Sequence, residues 1–178
     1  MPELKKYKMF IGGEWVESDT KKTFETLNPE NNKPWAIVPE ASANDVDKAV
    51  KAAQKAFEGE WPKLLPKERA RYLRMIGDKL RDNAEHLGKI ETIDTGKLYR
   101  ETKTQANYIA EYYDYFAGLA DKVEGTVVPI DKPDMQVTTT RIPIGVVAAI
   151  IPWNSQMLLT AVKLAPALAM GNTVVIKA

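Results

Sequence analysis

From Ile142 to Val162 the sequence carries no charged residue, and no other feature limits the possible folds so tightly. An uncharged stretch of that length can cross a bilayer. Its middle, however, holds Pro152, Asn154, Ser155 and Gln156, with Pro143 and Thr160 towards its ends. Unpaired polar groups at membrane depth are costly, so the run reads as a buried strand, a turn and a buried helix. Ile144 to Ile151 shows no apolar–polar alternation, as expected of a strand covered on both faces in a parallel sheet. Gln156 to Met170 is apolar nearly all round apart from Lys163, which suits a crossover helix that Pro166 shortens or kinks. Gly171-Asn172 turns the chain into a second buried strand, Thr173 to Ile176. Together these form one βαβ unit, and the fold class is α/β. A doubly wound sheet needs more than two strands, so the sequence reads as stopping in mid-domain after Lys177-Ala178.

Upstream, Gly12-Gly13 between Lys8–Ile11 and Glu14–Glu17 predicts a hairpin. Leu27 to Asn32 is a turn cluster, and Ile37 to Pro39 a short strand. From Asn44 the period changes to that of helices. Val46, Ala49, Val50, Ala53, Ala56 and Phe57 share one face, with Ser42 or Asn44 as the cap. Pro66 opens a second helix carrying Ala70, Leu73, Ile76 and Leu80. A third carries Ala84, Leu87 and Ile90 and stops at Gly96. The fourth spans about Arg100 to Ala120, with a stripe from Ala106 to Ala120. All four are amphipathic and need partners to pack on. Thr126–Ile130 and Met135–Ile142, joined by the turn Asp131 to Asp134, predict an exposed β arm whose edges can pair with another chain.

Composition removes several classes of function. Lys plus Arg is 25 against 24 for Asp plus Glu, and this balance leaves no footprint for nucleic acid or an anionic membrane. With no cysteine, the chain offers no disulfide, thiolate metal site or cysteine nucleophile, and its single histidine, His86, supports neither a multi-histidine metal site nor a Ser–His triad. No metal site is expected. The N-terminus lacks the apolar segment of a signal peptide, which points to a soluble, cytoplasmic protein. No GxGxxG and no GxxxxGK[ST] follows either apolar strand, so the common phosphate-cradling loops are missing.

Two residues stand where ligands gather in α/β sheets, beyond the carboxyl ends of the strands. Asn154 opens the crossover helix. Its amide can donate to a developing oxyanion, or it can cap the helix; position alone favours the cap, the commoner use. Lys177 ends the second strand on the same edge, where it can hold a ribose hydroxyl or phosphate or simply be a solvated charge. Asp94-Thr95-Gly96-Lys97 reads as a helix stop. Trp15, Trp35 and Trp61 read as packing residues, and Trp153 as filling the corner after the first strand. Tyr108, Tyr112, Tyr113 and Tyr115 read as packing or an interface.

Six segments then resemble one family. FIGGEWVES, LNPENNKP, ANDVDKAVKAAQKAF, IETIDTGK, RIPIGVVAAIIPWN and KLAPALAMGNTVVIKA follow one another in the order found in the N-terminal part of aldehyde dehydrogenases, over nearly all 178 residues. The pairing of PWN with GNTVVIK is the most specific. The resemblance implies a partial NAD(P)-binding domain, Rossmann-like but without the glycine fingerprint, from residues 1–124 and 143–178. Residues 125–142 would then be the oligomerisation arm of a homo-oligomer. It further implies an enzyme in which a cysteine thiolate attacks an aldehyde, the thiohemiacetal gives hydride to NAD or NADP, and a glutamate-activated water releases the carboxylic acid. On this resemblance Asn154 is the oxyanion-stabilising asparagine. Ile150, Ile151, Pro152 and Trp153 contact the cofactor, and Lys177 binds the adenine-side ribose. Ser155, Leu159 and Val162 line the substrate tunnel. Many members have Phe-Pro where this chain has Ser155-Gln156, which reshapes the tunnel near the carbonyl. The cysteine and glutamate belong to segments downstream of Ala178, so the 178-residue chain is expected to be inactive alone. The alternative is a truncated, non-catalytic module that binds nucleotide or pairs with other chains.

Overall fold

The computed structural model describes residues 4–178. Met9–Ile11 (β2) and Glu14–Val16 (β3) form the expected hairpin, with Gly12 and Gly13 at φ 63° and 89°. Both angles lie where a Cβ is penalised, so the turn depends on glycine. The following strands are longer than the sequence pattern suggests. Thr23–Asn28 (β4) pairs antiparallel with Lys33–Pro39 (β5), and Lys5–Lys6 (β1) adds to β5 in parallel. β4 was not anticipated and β5 begins before Ile37. The reason is that β4 exposes most of its side chains, including Phe24 and Leu27, so no clean alternation marks it.

Ala43–Glu58 (α1) starts in a capping box. Ser42 Oγ accepts from Asp45 N at 3.2 Å while the Asp45 carboxylate accepts from Ser42 N at 3.0 Å. Ser42, not Asn44, is therefore the cap. Asp45 also accepts from Ser18 Oγ at 2.9 Å and from Asp19 N. The Ser42 N–H, then the Ser18 hydroxyl and Asp19 N–H, hold the Asp45 carboxyl well below the usual carboxylate range, against the opposing effect of desolvation. After a 3-10 turn at Trp61–Lys63 come Pro66–Asp82 (α2), Ala84–Thr95 (α3) and Tyr99–Leu119 (α4). Gly96 ends α3 at φ 76°, as its sequence position predicts. α3 crosses α4 at Gly88, where an added Cβ would lie 2.8 Å from Lys103 Cα, so the close approach excludes any side chain.

The core is where α2, α4 and the crossover helix Gln156–Ala169 (α5) meet. Leu73, Ile109 and Tyr113 are enclosed by Ala70, Ala117, Ala161, Ala165 and Ala169, the alanines letting the helices approach closely. Burying a side chain such as Leu73 contributes about 1.5–3 kcal/mol. Pro166 lies inside α5, which runs on through it to Ala169 rather than stopping short. Arg69 Nε donates to the Ala169 carbonyl at 3.1 Å, placing a cation at the negative end of the helix.

The arm is shorter than expected. Only Val127–Val128 (β6) and Val137–Thr138 (β7) pair, closed by Thr139 N donating to Thr126 O at 2.8 Å. Val146–Ile150 (β8) and Thr173–Lys177 (β9) are parallel and in direct register, Val146 opposite Thr173 and Ile150 opposite Lys177. With α5 between them they form the predicted βαβ unit, and α1 packs against both strands. One expectation fails for both strands: β8 is not covered on both faces, and β9 is buried only at its start, with Ile176 exposed. Ala149 is buried, but Ala148 and Ile150, which share the other face, are exposed, because no described element lies over them. Among the described residues no helix is long and apolar enough to cross a membrane.

Candidate functional site

The two ends of the β8–β9 pair are built differently. At the amino ends the chain is tied down. Asn172 is buried, and its Oδ1 accepts from Ile144 N at 2.8 Å and Gly145 N at 3.1 Å while its Nδ2 donates to Ala167 O. Trp61 Nε1 donates to the Asn172 carbonyl at 2.9 Å, and Thr173 Oγ1 to Ala53 O at 3.0 Å. Trp61 is thus an anchor for the turn before β9 as well as a packing residue.

At the carboxyl ends the surface is open. Ile151 is buried and its N–H donates to Lys177 O at 3.0 Å, extending the ladder by one residue and bringing the two strand ends together. Pro152, Trp153 and Asn154 are then exposed, as are Ile150 and Lys177. Trp153 keeps 84% of its surface accessible, which overturns the expectation that it fills the corner. Pro152 ends the strand because it has no N–H to continue the ladder. Asn154 is not the helix cap either. It sits in a turn with Trp153, and the cap position is Ser155, whose side chain makes no capping bond. Its Oγ instead accepts from Lys97 Nζ. Leu159 and Val162, the other residues assigned to a tunnel, lie half-buried on α5.

The contact with Lys97 belongs to a polar cluster that sequence reasoning missed. Lys97 Nζ also donates to Glu91 Oε1 at 3.2 Å, and Glu91 is only 4% exposed. One turn further along α3, Asp94 Oδ2 accepts from Gln156 Nε2 at 2.9 Å. Asp94 Oδ1 accepts from Thr26 Oγ1 on β4 at 2.9 Å and from Trp35 Nε1 on β5 at 3.3 Å. Glu91 Oε2 and Gln156 Oε1 are buried without a partner among the described residues. The segment read as a plain helix stop therefore also touches the first two residues after Asn154. Nothing local signals this, since the partners lie about sixty residues apart in sequence.

The arrangement is an α/β strand pair with one end tied down by Asn172 and one free end, the free end presenting a carboxamide, an ammonium and an apolar ledge. This defines the class of protein whose ligands collect beyond parallel strand ends. The family follows from comparison with known proteins. The aldehyde dehydrogenase family model matches residues 15–178, and the chain belongs to that family. It is 47% identical over 176 residues to the (Z)-2-((N-methylformamido)methylene)-5-hydroxybutyrolactone dehydrogenase of Acinetobacter baylyi, a match covering 98% of this chain and 36% of that protein. A crystal structure of a double mutant of Staphylococcus aureus betaine aldehyde dehydrogenase in complex with NAD+ superposes with TM-score 0.91 at 39% identity, over 95% of this chain and 34% of that one. An aldehyde dehydrogenase variant from Bacillus cereus gives TM-score 0.93 at 39% identity, over 97% and 35%. The chain thus spans about a third of the length of these relatives.

Proposed function

We propose that this chain is the N-terminal, cofactor-binding portion of an NAD- or NADP-dependent enzyme that oxidises an aldehyde to a carboxylic acid through a thiohemiacetal. The observation that carries this reading is the open edge, where a carboxamide and a lysine emerge from adjacent strand ends within a family member. The residues there fit a dinucleotide. Exposed Ile150, Pro152 and Trp153 offer an apolar ledge, and Lys177, opposite Ile150, offers a cation to a ribose hydroxyl. The solved Staphylococcus aureus relative holds NAD+, which supports the same cofactor class here. When bound, NAD or NADP supplies the hydride acceptor.

The work of this chain's own residues follows from their placement. The Asn154 side-chain N–H donates to the substrate oxygen as negative charge builds on it. Because Asn154 neither caps α5 nor packs in the core, its amide is free for that bond. Ser155, Leu159 and Val162 shape the approach of the aldehyde, and the hydroxyl of Ser155 makes that approach more polar than an aromatic side chain would. The β6–β7 arm, residues 125–142, with Val127 and Met135 exposed, pairs with another chain in a homo-oligomer. In this reading the protein works in the cytoplasm.

With no cysteine among its 178 residues, this chain alone holds no thiol nucleophile. The purified 178-residue chain is expected to give no NADH or NADPH from aldehydes, and measurable turnover contradicts the division of labour proposed here. In the complete enzyme Asn154→Ala lowers kcat by on the order of a hundredfold, as loss of one oxyanion donor does. Unchanged kcat would remove Asn154 from the reaction.

A further inference from the structure

The residues flanking Asn154 are held from a distance, and the holding groups all come from the end of α3. Ser155 Oγ is gripped by Lys97 Nζ and Gln156 Nε2 by Asp94 Oδ2. Trp153 and Asn154 themselves are exposed, so the turn has little packing of its own to fix it. Each grip is anchored in turn: Lys97 on the buried Glu91, and Asp94 on Thr26 and Trp35 of the β4–β5 sheet. Gly96, in the left-handed conformation at φ 76°, reverses the chain so that Lys97 comes back over α3 to meet Glu91. Glu91 is buried while Lys97 is partly exposed. Removing the lysine would leave the carboxylate buried and unpaired, which is what keeps the ammonium on Glu91 and so in reach of Ser155.

From this geometry we infer that Lys97 is a positioning residue, which acts through Ser155, with Asp94 acting through Gln156, to fix the orientation of the Asn154 carboxamide. This rests on the reading of Asn154 as an oxyanion donor. A donor must lie within hydrogen-bond distance of the developing charge, and small misplacements cost rate steeply. The Ser155 hydroxyl, freed from capping α5, is what the ammonium holds. Substituting Ser155 alone removes the grip while leaving the Lys97–Glu91 pair intact, so it separates positioning from the stability of a buried charge.

Two measurements test the inference. The first is amide hydrogen exchange across Trp153 to Leu159 in the full chain. Lys97→Met and Ser155→Ala are expected to speed exchange there by about tenfold, with α2 and α4 unchanged, and Lys97→Arg to restore protection. Unchanged exchange in Ser155→Ala, or a rise spread evenly over the whole chain, overturns the positioning. The second is a double-mutant cycle on kcat in the complete enzyme. Lys97→Met is expected to lower kcat by about tenfold with KM little changed, and to cost less than about twofold once Asn154 is already alanine. Where Lys97→Met does not fold, Asp94→Asn, whose amide nitrogen can no longer accept from Gln156, takes its place in the cycle. Additive losses overturn the link to Asn154. An intact kcat in Asn154→Ala instead overturns the oxyanion reading and the catalytic half of this inference, while the exchange result still decides whether Lys97 holds the turn.

Discussion

The amino and carboxyl ends of the β8–β9 pair lie about five residues apart along the strands, and they treat their asparagines in opposite ways. Asn172, at the amino end, is buried with its amide oxygen and nitrogen both occupied by backbone groups. Asn154, beyond the carboxyl end, is exposed in a turn that its neighbours hold and it does not. The same side chain is structural in one place and available in the other. The difference lies in what surrounds it: at one end α1, Trp61 and the turn before β9 close over the strands, and at the other Pro152 ends the ladder and leaves a free edge.

The comparison can be broken by exchanging what each end loses. The largest effect is the fall in kcat of about a hundredfold for Asn154→Ala. Next, Asn172→Ala strands the buried N–H of Gly145 and releases that of the exposed Ile144, and with the lost bond to Ala167 should lower unfolding free energy by about 2–4 kcal/mol in urea titrations. A loss below about 0.5 kcal/mol would mean that water replaces the amide, and that the amino end is less closed than its geometry indicates. Ser42→Ala removes half of the capping box of α1, the helix that backs both strands, and is expected to cost about 1 kcal/mol.

Acid probes the same support. Because the folded protein holds Asp45 below its unfolded value of 3.8, the folded state binds that proton less readily than the unfolded chain. Its contribution to stability is therefore whole above about pH 5 and declines as pH falls through the unfolded value towards the lowered one. Asp45→Asn is expected to be less stable at neutral pH and to show a shallower loss below about pH 4, measured as thermal midpoint against pH. An identical acid slope in both proteins would place the titration elsewhere. The smallest effect belongs to Trp153→Ala at the open edge, within about 0.5 kcal/mol in stability despite the size of the side chain, since most of its surface already meets water.

These contrasts also show what a reader of the sequence can and cannot see. The βαβ unit, the four helices, the Gly12-Gly13 hairpin and the Gly96 stop are set by local chemistry: apolar period, capping residues and glycine at positive φ. Each is legible within a window of a few residues. The exposure of Ile150 and Trp153 is not, because an apolar residue at an open edge looks the same in sequence as one in a core. The cap position is hidden for a related reason. Asn is a good cap in isolation, but Ser155 occupies the position and its hydroxyl meets Lys97, a partner that only the tertiary fold brings near. Asp94 and Lys97 were visible as residues and invisible as a clamp. Asn154 itself is exposed and leaves the cap of α5 to Ser155, which no window of sequence shows.

The most direct test sets the two asparagines side by side in the complete enzyme, with kcat per folded molecule and the urea midpoint measured for Asn154→Ala and Asn172→Ala. The account predicts a crossed result. Asn154→Ala keeps its midpoint and loses about a hundredfold in kcat, while Asn172→Ala loses about 2–4 kcal/mol and keeps the kcat of its folded fraction. If Asn154→Ala instead lowers the midpoint and leaves kcat intact, Asn154 is a structural residue and the open edge is not the catalytic one.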